Sequence, residues 1–111
     1  MDCQKLDAAG LNIDQMILVY KFIINALRDK CDDSGRLERL LESLERSMSQ
    51  LYEIRESGVD ARTEGKILRG LREGLKDFPG IIIPILQNDG GGIVKGVAKY
   101  LSEMKNQPTH K

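Results

Sequence analysis

An all-α fold, a compact bundle of four to five helices, is what this sequence predicts, and three observations predict it. Apolar residues recur at three-and-four spacing through most of its 111 residues. No stretch shows the clean two-residue alternation of a strand. Capping residues and glycine or proline stops fall at the ends of the periodic runs.

Residues 1–11 carry little apolar pattern and read as a flexible N-terminus ahead of a single helical domain over 12–105. Asn12 can cap the first helix, with Gln15 three residues later closing a capping box. Ile13, Met16, Ile17, Tyr20, Ile24, Leu27 and Cys31 then share one helical face, and Leu18, Val19, Phe22, Ile23 and Ala26 widen it. So wide an arc is expected to pack on two neighbours. Asp32, Asp33, Ser34 and Gly35 supply a turn and a cap. Leu37, Leu41, Leu44, Met48 and Leu51 make the clearest helix, which Gly58 stops. Its heptads are too few for a free-standing coiled coil, so packing within a bundle or a short dimer seam fits better.

Asp60 or Thr63 begins the third helix, with Ile67, Leu68, Leu71, Leu75 and Phe78 inward and Pro79–Gly80 as its end. Gly65, Gly70 and Gly74 each cost that helix about 1 kcal/mol relative to alanine, which points to close backbone contact with a neighbour or to a weak, mobile helix. The nearly continuous apolar run from Ile81 to Leu86 is expected to be buried, as a short helix or an extended strap limited by Pro84. Asn88 to Gly92 read as a loop. The last helix places Ile93, Val97, Leu101 and Met104 inward and Lys95, Lys99 and Lys105 outward, and residues 106–111 form a disordered tail.

Composition bounds the function. Hydrophobic residues at 41% and charged residues at 31% suit a chain that folds in water. The most apolar run, Met16 to Leu27, is about half of a bilayer crossing, so no membrane anchor is expected. No signal peptide is visible and Cys3 and Cys31 match no redox or zinc spacing, so a cytoplasmic setting is expected, or a nuclear one in a eukaryote. No catalytic residue, metal or cofactor is expected. His110, the single histidine, lies in the polar tail without an orienting partner. Asp29, Asp32 and Asp33 would raise the thiol pKa of Cys31. The same acids and Gly35 do not follow the order of a calcium loop.

Seventeen Lys and Arg balance seventeen Asp and Glu, yet the halves differ in sign. Residues 1–60 hold eight basic and twelve acidic side chains, and residues 61–111 hold nine and five. Arg62, Lys66, Arg69 and Lys76 run along the third helix with Arg72 nearby, and their expected partner is an acidic or helical protein. Nucleic acid is less favoured, because acids interrupt the stripe and no aromatic side chain is interleaved for stacking. Gly91 and Gly92 with Lys95 one turn on offer a weak anion-binding arrangement without the order of a phosphate loop.

From Leu37 to Met104 the chain faintly resembles the N-terminal helical module of transcription elongation factor S-II and its relatives. Gly65, Lys66, Leu68, Leu71 and Arg72 carry the likeness to that family's G-K-x-[VL]-x-x-L-[RK] stretch, and Ala98, Lys99 and Leu101 resemble its last helix. The connection from Phe78 to Asp89 is longer than the family's, and the last helix lacks its usual tryptophan. The resemblance implies a small docking module for disordered peptides in transcription complexes, and no site residue is carried over from it.

The functional expectation is a non-enzymatic protein-interaction module, a small regulator or adaptor that self-associates or binds a partner. Leu44, Met48 and Leu51 on the second helix and Arg62, Lys66 and Arg69 on the third are its expected contact residues. Self-association, as a homodimer through the first or second helix, would hide apolar surface beyond what one core covers. The alternative is an anion- or nucleic-acid-associated helical module in transcription, using the basic stripe and the glycine-rich loop.

Overall fold

A computed structural model describes residues 5–30 and 34–106. It is an all-α bundle of four helices: α1 (Ile13–Arg28), α2 (Arg36–Ser57), α3 (Ala61–Ile85) and α4 (Gly90–Asn106). The caps read from the sequence set three of these boundaries. Asn12 Oδ1 accepts from the Gln15 N–H at 2.8 Å and the Gln15 side chain accepts from the Asn12 N–H at 3.0 Å, satisfying donors that a helix start otherwise leaves bare. Asp60 accepts from the Thr63 N–H at 3.1 Å and from its hydroxyl at 2.7 Å, so Asp60 is the cap of α3. Gly58 ends α2 at a φ of 77°, where its N–H reaches the Ile54 carbonyl.

Short connections make successive helices antiparallel, and α1 packs beside α2 and α4 while α3 closes the ring between them. Arg55 at the end of α2 meets Asp14 at the start of α1 at 3.0 Å, and Lys30 beyond α1 meets Asp89 ahead of α4 at 3.5 Å. The wide apolar arc of α1 is buried as expected: Met16, Val19, Ile23 and Leu27 are fully enclosed, facing Leu51, Phe78, Ile82 and Val97 in one core. Leu18, which belonged to that arc in the sequence, lies on the outer side of α1 and is 46% exposed.

The structure corrects five expectations. Helix three does not stop at Pro79–Gly80 but continues to Ile85, so residues 81–85 are its last turns rather than a separate helix or a strap. A proline inside a helix costs about 3 kcal/mol. Full burial of Phe78 and Ile82 contributes about 1.5–3 kcal/mol each, enough to carry the helix past Pro79. The apolar run is accordingly not buried throughout, because a helix turns consecutive isoleucines to different sides: Ile82 is enclosed while Ile81 and Ile83 are 45% and 39% exposed.

The interior glycines of α3 are not points of close contact. A Cβ at Gly65 or Gly70 would meet nothing within 4 Å, and one at Gly74 would lie 3.8 Å from the Tyr20 hydroxyl, an ordinary contact. The tight place is Gly90, in the stretch read as a loop. Gly90 opens α4 and is buried, and a Cβ there would fall 2.9 Å from the Ile83 Cα and 3.0 Å from the Ile82 carbonyl oxygen.

Residues 5–11 differ most from the flexible segment expected over 1–11. They lie over α3 and α4 without regular secondary structure and turn at Ala9–Gly10, where the Leu11 N–H donates to the Ala8 carbonyl at 3.4 Å, with Leu6, Ala8 and Leu11 buried and Lys5, Asp7 and Ala9 outward. The Leu6 N–H donates to the Lys76 carbonyl at 3.3 Å, Arg72 donates to the Leu11 carbonyl, and Lys105 Nζ donates to the Asp7 carbonyl at 2.7 Å. Burial of two leucines against the α3–α4 groove, with these three anchors, offsets the ordering entropy of so short a segment. Cys3, Cys31, Asp32, Asp33 and the tail from residue 107, with His110, lie outside the described residues.

Candidate functional site

The two groups of expected contact residues have opposite fates. On α2, Leu44 is buried and Leu51 is wholly enclosed, facing α1 in the core, while Met48 is half-buried at the rim. The leucine seam is the inner side of the bundle, so Leu44 and Leu51 offer nothing to a partner while the fold is intact. This corrects the sequence reading, which had no way to tell a core seam from an interface seam of the same periodicity.

On α3 the expected cations are exposed. Arg62, Arg69 and Lys76 are seven residues apart, two turns each, so they form one line along the helix with steps of about 10 Å. Lys66 flanks the line and Ile83 continues it. Among the described residues, Arg62, Lys66, Arg69 and Lys76 take part in no ion pair, whereas Lys5, Arg28, Lys30, Arg55 and Lys105 each do. Unpaired cations at helical spacing leave their full field to solvent. Glu73 and Asp77 sit between them, and Asp77 is engaged by Lys5 at 3.4 Å.

Arg72 turns the other way. It is half-buried and donates from Nε at 3.2 Å and Nη2 at 2.7 Å to the Leu11 carbonyl, pinning the N-terminal segment to α3. Beside this anchor an open channel of about 740 Å³ runs between residues 5–10 and α3. Lys5, Arg69, Arg72 and Lys76 line it with two acids, Asp7 and Glu73, and Gly65 opens one end. Asp7 is already matched: Lys105 lies 3.2 Å from its carboxylate and, with the Ala9 N–H, holds that carboxyl below the usual range. The channel therefore carries excess positive charge. A smaller hollow of about 420 Å³ lies between α1 and α4, lined by Phe22, Ala26, Gly92 and Gly96 near the stacked rings of Phe22 and Tyr100, whose centroids are 4.7 Å apart.

Gly91, Gly92 and Lys95, the expected anion-binding arrangement, are exposed in the first turns of α4. The Gly90 N–H donates to the Leu86 carbonyl, so the helix start is folded onto the end of α3. Asp89 stands immediately before α4 and is paired with Lys30 at 3.5 Å. Among the described residues no group of His, Cys, Asp and Glu is placed to hold a metal ion, and no helix is long and apolar enough to cross a membrane.

Among the described residues, Tyr20 is a buried ionisable group. Its hydroxyl donates to the Leu71 carbonyl at 3.0 Å, and burial pushes its pKa up to about 12, with a hydrogen bond from Ser47 working the other way. It ties α1 to α3 and stays neutral at ordinary pH.

Sequence reasoning missed Lys5, Asp7 and the anchoring role of Arg72. The available signal was the alternation of Lys5, Leu6, Asp7 and Ala8, a two-residue period too short to separate from chance. Comparisons with family models, with curated proteins and with solved structures find no match, so the likeness of residues 65–72 to the S-II module rests on those residues alone.

Proposed function

We propose that this chain is a non-enzymatic protein-interaction module, a small regulator or adaptor, that binds an acidic partner through the exposed cationic side of α3. The observation that carries the reading is the set of four exposed, unpaired cations on one helix, Arg62, Lys66, Arg69 and Lys76, in a chain whose net charge is zero. A chain without net charge has no general attraction for anions, so a concentrated cationic side favours a partner of matching local charge. The rival contact surface, the leucine seam of α2, is buried inside a single chain, so that seam supplies no apolar area for a partner.

A protein partner is favoured over nucleic acid because no aromatic side chain lies on this side of α3 and Glu73 and Asp77 interrupt it. The test is fluorescence anisotropy with a labelled polyglutamate peptide and a single-stranded oligothymidylate of equal charge, at two salt concentrations. Peptide binding that weakens with salt and disappears when Arg62, Lys66, Arg69 and Lys76 are all changed to Glu supports the reading. Peptide binding that survives the four changes, or a preference for the oligonucleotide, overturns it.

A further inference from the structure

We infer that the acidic segment lies extended in the channel between residues 5–10 and α3, so that the N-terminal strap forms half of the binding site. The inference rests on the reading above and narrows it from a helix side to one seat. Charge selects that seat: Lys5, Arg69, Arg72 and Lys76 face it, Asp7 is already matched by Lys105 on the α4 side, and Glu73 alone opposes. The Lys5–Asp77 pair is 3.4 Å long with both side chains more than half exposed, so it holds Lys5 weakly and leaves it able to turn to a ligand carboxylate.

Shape selects an extended chain. Ala8, Ala9 and Gly10 on the strap side and Gly65 on the helix side give the channel a stretch of wall made of small residues, along which a main chain can lie. Arg69 and Lys76 are two turns apart, about 10 Å, which matches about three residues of an extended segment. In the polyproline II form, with three residues per turn and a rise of about 3.1 Å per residue, acidic side chains three residues apart lie on one side and about 9 Å apart, so they reach both cations. The strap is held at Leu6, Asp7 and Leu11 by α3 and α4, so the wall is in place before the partner arrives and little ordering is left to do on binding.

The experiment uses the full chain and a fluorescein-labelled peptide with glutamate at every third position, the others glycine and serine. Arg69→Glu with Lys76→Glu changes the channel, and Arg62→Glu with Lys66→Glu makes the same charge change on the same helix outside it. The expected result is about tenfold or greater weakening for the channel pair, less than about threefold for the outer pair, and an intermediate loss for Lys5→Glu. Circular dichroism and thermal melting establish that each variant is folded, and Arg69→Ala with Lys76→Ala supplies the comparison if charge reversal disturbs α3. Equal losses for the two pairs overturn the channel and leave the cationic side of α3 standing as the contact. No binding by the unmodified protein at low salt overturns both readings. Equal competition by oligothymidylate identifies phosphate rather than peptide carboxylate as the ligand and also overturns both.

Discussion

The three consecutive glycines at the start of α4 invite substitutions of opposite sign. An alanine at position 90 places its Cβ 2.9 Å from the Ile83 Cα and 3.0 Å from the Ile82 carbonyl oxygen. Both are backbone atoms of a packed helix, so neither can swing aside, and relief requires α3 and α4 to move apart. Overpacking of this kind costs about 1–3 kcal/mol, while the better helix propensity of alanine returns at most about 1 kcal/mol. Gly90→Ala is therefore expected to lose about 1–2 kcal/mol net, roughly 4 °C of melting temperature per kcal/mol for a chain of this length. A Cβ at Gly91 or Gly92 meets nothing within 4 Å, and neither has positive φ. Alanine at either is expected to add about 0.4–1 kcal/mol by restricting the unfolded chain. Urea unfolding of the three single variants, with the slope checked for constancy, measures the differences. A Gly90→Ala protein as stable as its neighbours' variants would refute the close α3–α4 crossing.

Other outcomes follow from the strap, the caps and Tyr20. Leu6→Ala is expected to cost about 2–5 kcal/mol in urea unfolding if residues 5–11 are packed, against almost nothing for a flexible tail. Asn12→Ala removes the capping box of α1 and is expected to cost about 1 kcal/mol, seen as a lower urea midpoint at unchanged slope. The neutral Tyr20 hydroxyl is favoured by the fold, so its contribution is whole below pH 10 and is lost as pH rises toward about 12. At about 1.4 kcal/mol per unit, this amounts to about 2–3 kcal/mol of stability. Tyr20→Phe is expected to remove that loss from a chemical-denaturation series run across pH 9 to 12, and an unchanged pH dependence would count against the buried hydroxyl.

Local rules made much of the architecture legible. Asn12 and Gln15, Asp60 and Thr63, and Gly58 act within four residues of themselves, so the sequence locates the helix ends they set whatever the rest of the chain does. The prolines misled because a local cost was weighed without the distant burial of Phe78 and Ile82 that opposes it. The glycines misled for a related reason. Gly65 and Gly90 look alike in sequence, and only the approach of a second helix distinguishes the one in open space from the one against a backbone.

The same division runs through the candidate site. Periodicity put Arg62, Lys66 and Arg69 on one side of a helix, and that side is exposed, because a stripe of charge opposite an apolar stripe has no other place to go. Periodicity also put Leu44, Met48 and Leu51 on one side, but whether that side meets a sister helix or a second molecule depends on how the four helices close into a ring, which one-dimensional spacing does not contain. Helix type, caps and the cationic line were thus determined by the sequence itself, since each depends on neighbours within a few turns. The docking of residues 5–11, the passage of α3 through Pro79 and the channel beside Arg69 were decided only by the tertiary structure. Each depends on atoms distant in sequence: Leu6 with Lys76, Leu11 with Arg72, Asp7 with Lys105, and Phe78 and Ile82 with the α1 residues of the core.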